Sequence, residues 1–469
     1  MKKFLNKVFK VEENGSLIRI ELIAGITTFF AMCYIVVVNP ATMVGTGNQA
    51  LYNACYIGGI LAAVIATLCM AFIANKPFAL AAGMGLNSFF FVSFILPNLA
   101  SDMVAGYQSG LSVILLSGII FLVLSLTGAR KYIALSLPKC LKAAMPAGIG
   151  LFITFLGLQN AGVITNNEYT LVQLVDFHSS WEAAAPAIVC FVGFITIILL
   201  SHAKSKFLSG ANVILGIVVS TALYYIFSIF TPSLRISGAT INHLPQMFSD
   251  WAEYGLIGGI KGFKYLFDGN TVGSILTVIM LVITYCLVDM FDTIGTVYGA
   301  SIQAGMVDEN GDPENIGEIM MCDAIGTVAG SVTGTSTITT FVESASGVAS
   351  GGRTGLTALN TAFLFLLCIF FGPIVQFIPN CATACALIYV GVLMFKNILN
   401  IDFTDLRGVA TSFIVVVMML VTYSITNGIM IGAITYTLLT LLTGKYTKKD
   451  IVVTVIAVLG ILKYIFVSM

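Results

Sequence analysis

Long apolar stretches, most of them close to the length of a membrane helix, alternate with short polar connectors down nearly the whole chain. ELIAGITTFFAMCYIVVV, ACYIGGILAAVIATLCMAFIA and LSVILLSGIIFLVLSL are typical. An α-helix needs about 20 apolar residues to cross the hydrocarbon. The pattern predicts fourteen spans, at 20–40, 53–75, 78–96, 105–127, 139–158, 184–201, 210–231, 272–300, 319–334, 336–350, 355–377, 381–398, 408–424 and 426–443. A further run, IVVTVIAVLGILKYIFV, is interrupted by Lys463 and fits either a span or a helix lying in the interface.

Composition agrees: 58% of the 469 residues are hydrophobic and 9% charged, with a mean hydropathy of +0.98. Such a chain cannot pair an apolar core with a wettable surface, which excludes a soluble domain. Net charge is zero, which argues against nucleic acid as a partner. The opening MKKFLNKVFKVEENG lacks an apolar run and reads as a cytoplasmic tail. With that end inside, Lys76, Arg130, Lys131, Arg353, Arg407, Lys445, Lys448 and Lys449 all fall at cytoplasmic ends, as the positive-inside rule requires. Arg235, Lys261 and Lys264 remain outside, in a mildly amphipathic stretch at 232–270 that divides the chain into halves. The acidic segment VDENGDPENIGE reads as a solvated cytoplasmic loop. Ten cysteines scatter through apolar segments without a CxxC pair, and His178, His202 and His243 sit at loops or span ends. No metal site, cofactor or histidine relay is expected.

The two halves repeat. LPKCLKAAMPAGIGLFITFLGLQNAGVIT (137–165) resembles IPNCATACALIYVGVLMFKNILNID (378–402). Seven spans per half is an odd number, so the second half enters the membrane inverted. The expected fold is an all-α membrane protein of fourteen spans in a 7+7 inverted repeat, with a site between the halves at mid-membrane. The third and tenth spans are broken at corresponding places, in NKPFALAAGMGLNSFFFVSFI and AGSVTGTSTITTFVESASGVASGG. In each, an extended piece (78–83 and 336–341) should lead into a short helix with unpaired first-turn amides. Asn87 and Glu343 fall near those first turns. Asn87 also fits a plain helix cap, and Glu343 a structural role.

On the eighth span, Tyr285, Asp289, Asp292, Thr293 and Thr296 lie on one helical face of LVITYCLVDMFDTIGT. Acids at membrane depth are costly and usually functional. A carboxyl group removed from water holds a proton more readily, the property that proton coupling needs. Either aspartate could instead only brace neighbouring helices, and Asp323 reads as a helix cap. An anion carrier of similar architecture would place basic residues or bare helix termini at its site. An intramembrane aspartyl protease would need two acids in one catalytic pocket.

AAGMGLNSFF, LVDMFDTIGT, GTSTITTFVESASGVASGGRTGLTA and TYSITNGIMIGAITY resemble the signatures of the AzgA-like purine permeases, of the nucleobase:cation symporter and nucleobase–ascorbate transporter superfamily. The resemblance runs in order from about residue 10 to 443. It implies a uracil-permease-like fold with a core domain (20–127 and 272–377) and a gate domain (139–231 and 381–443). A cytoplasmic tail (1–19), an extracellular linker (232–271) and a basic C-terminal segment with an extra apolar helix (444–469) complete the division. It further implies a homodimer in the cell membrane taking up adenine, guanine or hypoxanthine with a proton. Substrate binding maps onto Asp289, Glu343 and Asn87, with main-chain amides near Met84, Phe341 and Val342, and proton coupling onto Asp289, Glu343 and Asp292. Thr293 stands where the uracil and xanthine branches carry a histidine, which disfavours those substrates. An elevator-like shift of core against gate is expected.

Overall fold

The computed structural model describes residues 2–45, 47–127, 138–167, 170–178, 180–231, 234, 244–266, 275–304, 306, 313–341, 343–375 and 377–466. The helices that build the bundle and the site in the first half are α1 (Ile18–Met32), α2 (Ile35–Met43), α3 (Gln49–Cys69), α4 (Met84–Phe90), α5 (Met103–Leu126), α6 (Lys139–Asn160), α7 (Trp181–Ser201) and α8 (Asn212–Phe230). In the second half they are α9 (Ile275–Ala304), α10 (Ile316–Thr333), α11 (Ser344–Ala349), α12 (Gly355–Leu367), α13 (Asn380–Phe395), α14 (Leu406–Val421), α15 (Ile425–Leu442) and α16 (Ile451–Phe466). Among the described residues, nine helical segments are long and apolar enough to cross a membrane, and four shorter apolar helices accompany them. At five helix starts a polar residue ends the connector. Asn48, Asp102, Ser180, Asp405 and Ser424 accept from first-turn amides of α3, α5, α7, α14 and α15, satisfying donors that otherwise have no partner.

Two short strands cross inside the bundle. β1 (Leu80–Ala82) precedes α4, and β4 (Ile338–Thr340) precedes α11; they pair antiparallel with Ala81 opposite Thr339. Both lie within the extended pieces the sequence predicts. Extended backbone at this depth survives only where protein satisfies it, and here it does. Gly83 N donates to Thr337 O (3.1 Å) and Phe341 N to Ala79 O (3.0 Å). On the outer edge, the Thr67 hydroxyl of α3 donates to Leu80 O (3.1 Å) and accepts from Leu80 N (3.0 Å), while Ala79 N donates to Ser344 Oγ (3.0 Å).

The helices sort into two groups by packing. α6, α7, α8, α13, α14 and α15 pack mainly on one another, while α1, α3, α5, α10 and α12 form a second set that includes α9 through α5. The two segments that resemble each other in sequence meet: α6 packs on α13. Counted from Pro138 and Pro379, Gly150 and Gly391 fall at the same offset, and they face each other. A Cβ on Gly150 would lie 2.7 Å from Gly391 O, and one on Gly391 would lie 2.5 Å from Gly150 O.

Three segments differ from the sequence reading. ITNNEYTLVQL, expected as a connector, forms an exposed hairpin of β2 (Ile164–Asn167) and β3 (Leu171–Leu174). Within the stretch between the halves, the described residues 244–266 form short helices tied to the bundle. Trp251 Nε1 donates to Thr333 O (2.7 Å), Ser112 Oγ to Gly259 O (2.7 Å) and Asn53 Nδ2 to Asp250 Oδ2 (2.7 Å). In the acidic loop, Glu314 pairs with the buried Lys76 ammonium at 2.7 Å and is not simply solvated. The undecided last helix also finds its place. α16 runs antiparallel along α15, with Asp450 accepting from Tyr436 (3.0 Å), Gly460 against Met430, and Tyr464 donating to Asn427 (3.0 Å).

One buried acid serves the scaffold. Glu21 of α1 is fully buried and accepts from Arg353 N (2.9 Å), Thr354 N (3.2 Å) and Thr357 Oγ1 (2.6 Å), holding the start of α12. Removing the group strands two amides and a hydroxyl away from water. Glu21→Ala is therefore expected to cost about 3 kcal/mol, read as a lowered thermal unfolding midpoint in detergent; an unchanged midpoint would contradict it.

Candidate functional site

The site is assembled where the two strand-to-helix breaks meet the polar face of α9. β1 delivers the chain to Gly83, the cap of α4, and β4 delivers it to Glu343, the cap of α11; neither helix start carries a side-chain cap. α9 approaches from the side. The Cβ position at Gly83 lies 3.3 Å from Thr339 Cγ2 and 3.8 Å from Asp292 Oδ2, so this carboxyl group sits at ordinary contact distance from the entry to α4.

Asp292 and Glu343 are both partly exposed. They interact electrostatically with each other, and Asp292 also with Asp323. Glu343 Oε1 accepts a 2.6 Å hydrogen bond from the Tyr34 hydroxyl. Tyr34 is fully buried at the break between α1 and α2, where it precedes the first residue of α2. Tyr389 of α13, which belongs to the other helix group, also interacts electrostatically with Glu343, and its hydroxyl accepts from Asn212 Nδ2 (3.2 Å). The arrangement offers two carboxyl groups as acceptors or proton carriers, with the Tyr34 hydroxyl on one of them.

The other expected site residues are placed as follows. Asp289 is fully buried and accepts from Thr327 Oγ1 of α10 at 3.0 Å. Thr293 is fully buried and donates to Asp323 Oδ1 at 2.7 Å. This face of α9 therefore splits: Asp289 and Thr293 turn to α10, while Asp292 turns to α4 and the strands. Asp323 is no helix cap; it lies inside α10, which is capped by Asn315.

Asn87 is fully buried in α4. Its amide nitrogen donates to Asn39 Oδ1 (2.8 Å) and approaches Thr42 Oγ1 (3.4 Å), and its oxygen accepts from Ser336. It is not the cap of α4, and its hydrogen-bonding groups tie α2 and the approach to β4 to the half-helix. Met84 opens α4, whereas the Phe341 amide is already engaged by Ala79. Val342 lies outside the described residues.

Sequence reading missed Tyr34, Asn39, Ser336 and Thr327. Asn39 stood out in principle as an amide inside IVVVNPATM; Tyr34 gave no signal, because tyrosine is ordinary in apolar runs.

The chain matches the family described as the Permease family over residues 19–431. Among curated relatives it is 35% identical to the adenine permease AdeQ of Escherichia coli (strain K12), over 99% of this chain and 97% of that one. It is also 35% identical to the guanine/hypoxanthine permease PbuO of Bacillus subtilis (strain 168), over 96% and 98%. The fold is similar to that of the transmembrane domain of the cyanobacterial bicarbonate transporter BicA (TM-score 0.59, 16% identity, 87% of this chain and 97% of that one). SLC26A9 has the same fold (TM-score 0.62, 13% identity, 91% and 66%). These matched relatives are permeases, not enzymes, and the chain belongs to the Permease family whose signatures its motifs resemble.

Proposed function

We propose that this protein is a secondary active transporter that takes up purine nucleobases (adenine, guanine or hypoxanthine) together with a proton. The observation that carries the reading is the pair of carboxyl groups, Asp292 and Glu343, brought to the entries of the two half-helices. A nucleobase is flat and uncharged, with donors and acceptors around its edge. Carboxyl oxygens accept from ring N–H or amino groups, first-turn amides near Met84 donate to ring acceptors, and apolar side chains such as Phe89 cover the faces. The permeases for adenine and for guanine/hypoxanthine, at 35% identity over nearly the whole chain, support the substrate class. An anion would meet like charge at these acids, which weighs against an anion such as bicarbonate as the substrate.

In this reading the chain crosses the membrane fourteen times as an inverted 7+7 repeat, with the N-terminus cytoplasmic and α16 packed on α15 outside the repeat. The equivalent glycines at the α6–α13 contact and the antiparallel strand pair support the repeat, since a two-fold axis brings equivalent positions together. The two packing groups support a core that carries α4, α9 and α11, moving elevator-like against a gate of α6–α8 and α13–α15. A homodimer would anchor the gates. Asp292 and Glu343, with Asp289 behind them, carry the proton. Protonation neutralises the loaded site, and one charge moved down the membrane potential releases about 2.3 kcal/mol per 100 mV.

The test is uptake of radiolabelled hypoxanthine, adenine, guanine and uracil into cells lacking nucleobase transport. Saturable purine uptake that collapses with a protonophore is expected. Uptake of uracil alone, or of no base, would overturn the proposal.

A further inference from the structure

Tyr285 is fully buried on α9, and its hydroxyl has no hydrogen-bond partner among the described residues. A buried hydroxyl left without a partner is destabilising, and such groups in native proteins call for an explanation. Its ring is held. The Phe89 ring of α4 lies 5.2 Å away, centroid to centroid, at 48°. Tyr285 sits one turn before Asp289 and two turns before Asp292, on the same face of α9. α9 thus touches α4 at two levels: Asp292 against Gly83 at its cap, and Tyr285 against Phe89 near its other end. α4 and α9 also meet α6 here, from the other helix group. The two levels are about 10 Å apart along α9.

We propose that Tyr285 is a further substrate-contacting residue, whose hydroxyl donates to an acceptor atom on the second ring of a bicyclic base while Asp292 accepts from the other end. This rests on the purine-transport reading and deepens it: the span between the two groups selects two-ring over one-ring bases. A purine gives the stranded hydroxyl its partner. A pyrimidine held at Asp292 leaves it stranded, so the pair of groups discriminates by an unmade hydrogen bond as well as by span. Phe89, beside the Tyr285 ring, lies against the face of the bound base.

The variant is Tyr285→Phe, which keeps the ring on Phe89 and removes only the oxygen. Wild type and variant are compared in membranes of the same cells for hypoxanthine KM, for inhibition of that uptake by uracil, and for thermal unfolding of the purified protein. The expected result is a KM for hypoxanthine raised about tenfold, with uracil inhibition unchanged and the unfolding midpoint equal or higher, since no protein hydrogen bond is lost. An unchanged KM overturns the inference. So does a lowered midpoint, which would mean that the hydroxyl serves the fold. These outcomes are read only against a wild type that transports purine; a wild type that does not refutes the transport reading itself, whatever Tyr285 does.

Discussion

Glu343→Gln is expected to abolish accumulation of purine while leaving the protein folded and able to bind it. Glutamine keeps the shape of glutamate, and its carbonyl oxygen can still accept the 2.6 Å hydrogen bond that Tyr34 donates to Glu343 Oε1. The cap position of α11 makes no side-chain hydrogen bond to the helix start, so none is lost there. What the substitution removes is the charge, and with it the ability to take up and release a proton. A carrier with a permanently neutral group there can exchange purine across the membrane but cannot draw on the proton gradient. The measurement is paired: net uptake by energised cells should fall to background, while exchange of labelled for unlabelled hypoxanthine in proteoliposomes should persist. Full accumulation by Glu343→Gln would remove Glu343 from the coupling. Asp292→Asn is the control for that case, because Asp292 shares the electrostatic environment of Glu343 and is the other acid against the strands.

Much of this architecture can be read in the sequence, because the bilayer fixes the length of an apolar run and tolerates few exceptions. The two exceptions, the break at 78–83 that ends in Gly83 and the Thr-rich break at 336–341, mark the strand crossing for the same reason. The division of labour along α9 cannot be read that way. A helical wheel puts Asp289 and Asp292 on one face; which of them meets Thr327 and which meets Gly83 depends on the rotation of α9 against α4 and α10. Asp323 misled for a related reason. An acid near the front of an apolar run looks like a cap, yet α10 begins earlier, at Ile316, and Asp323 is buried against Thr293. Tyr34 stayed hidden because its partner is more than 300 positions away in the chain.

Gly391→Ala and Gly150→Ala should each destabilise the protein by about 1–3 kcal/mol, and the double variant by less than their sum. At this crossing each glycine presents its backbone to the other. A new Cβ on Gly391 would come within 2.5 Å of Gly150 O and also meets Thr154 Oγ1, while one on Gly150 would come within 2.7 Å of Gly391 O and also meets Met394 Cβ. A carbonyl oxygen cannot swing aside as the end of a side chain can, so α6 and α13 must separate. Once the first methyl has pushed them apart, the second enters a gap already opened, which makes the two costs non-additive. The atoms that each new methyl meets all belong to α6 and α13 themselves, in the proposed gate, so the surviving folded fraction should bind purine with wild-type affinity. Unfolding midpoints of the wild type, both single variants and the double variant settle the matter. Strict additivity would mean that the two glycines do not share one contact, and the proposed two-fold relation between the repeats would lose its support at this crossing.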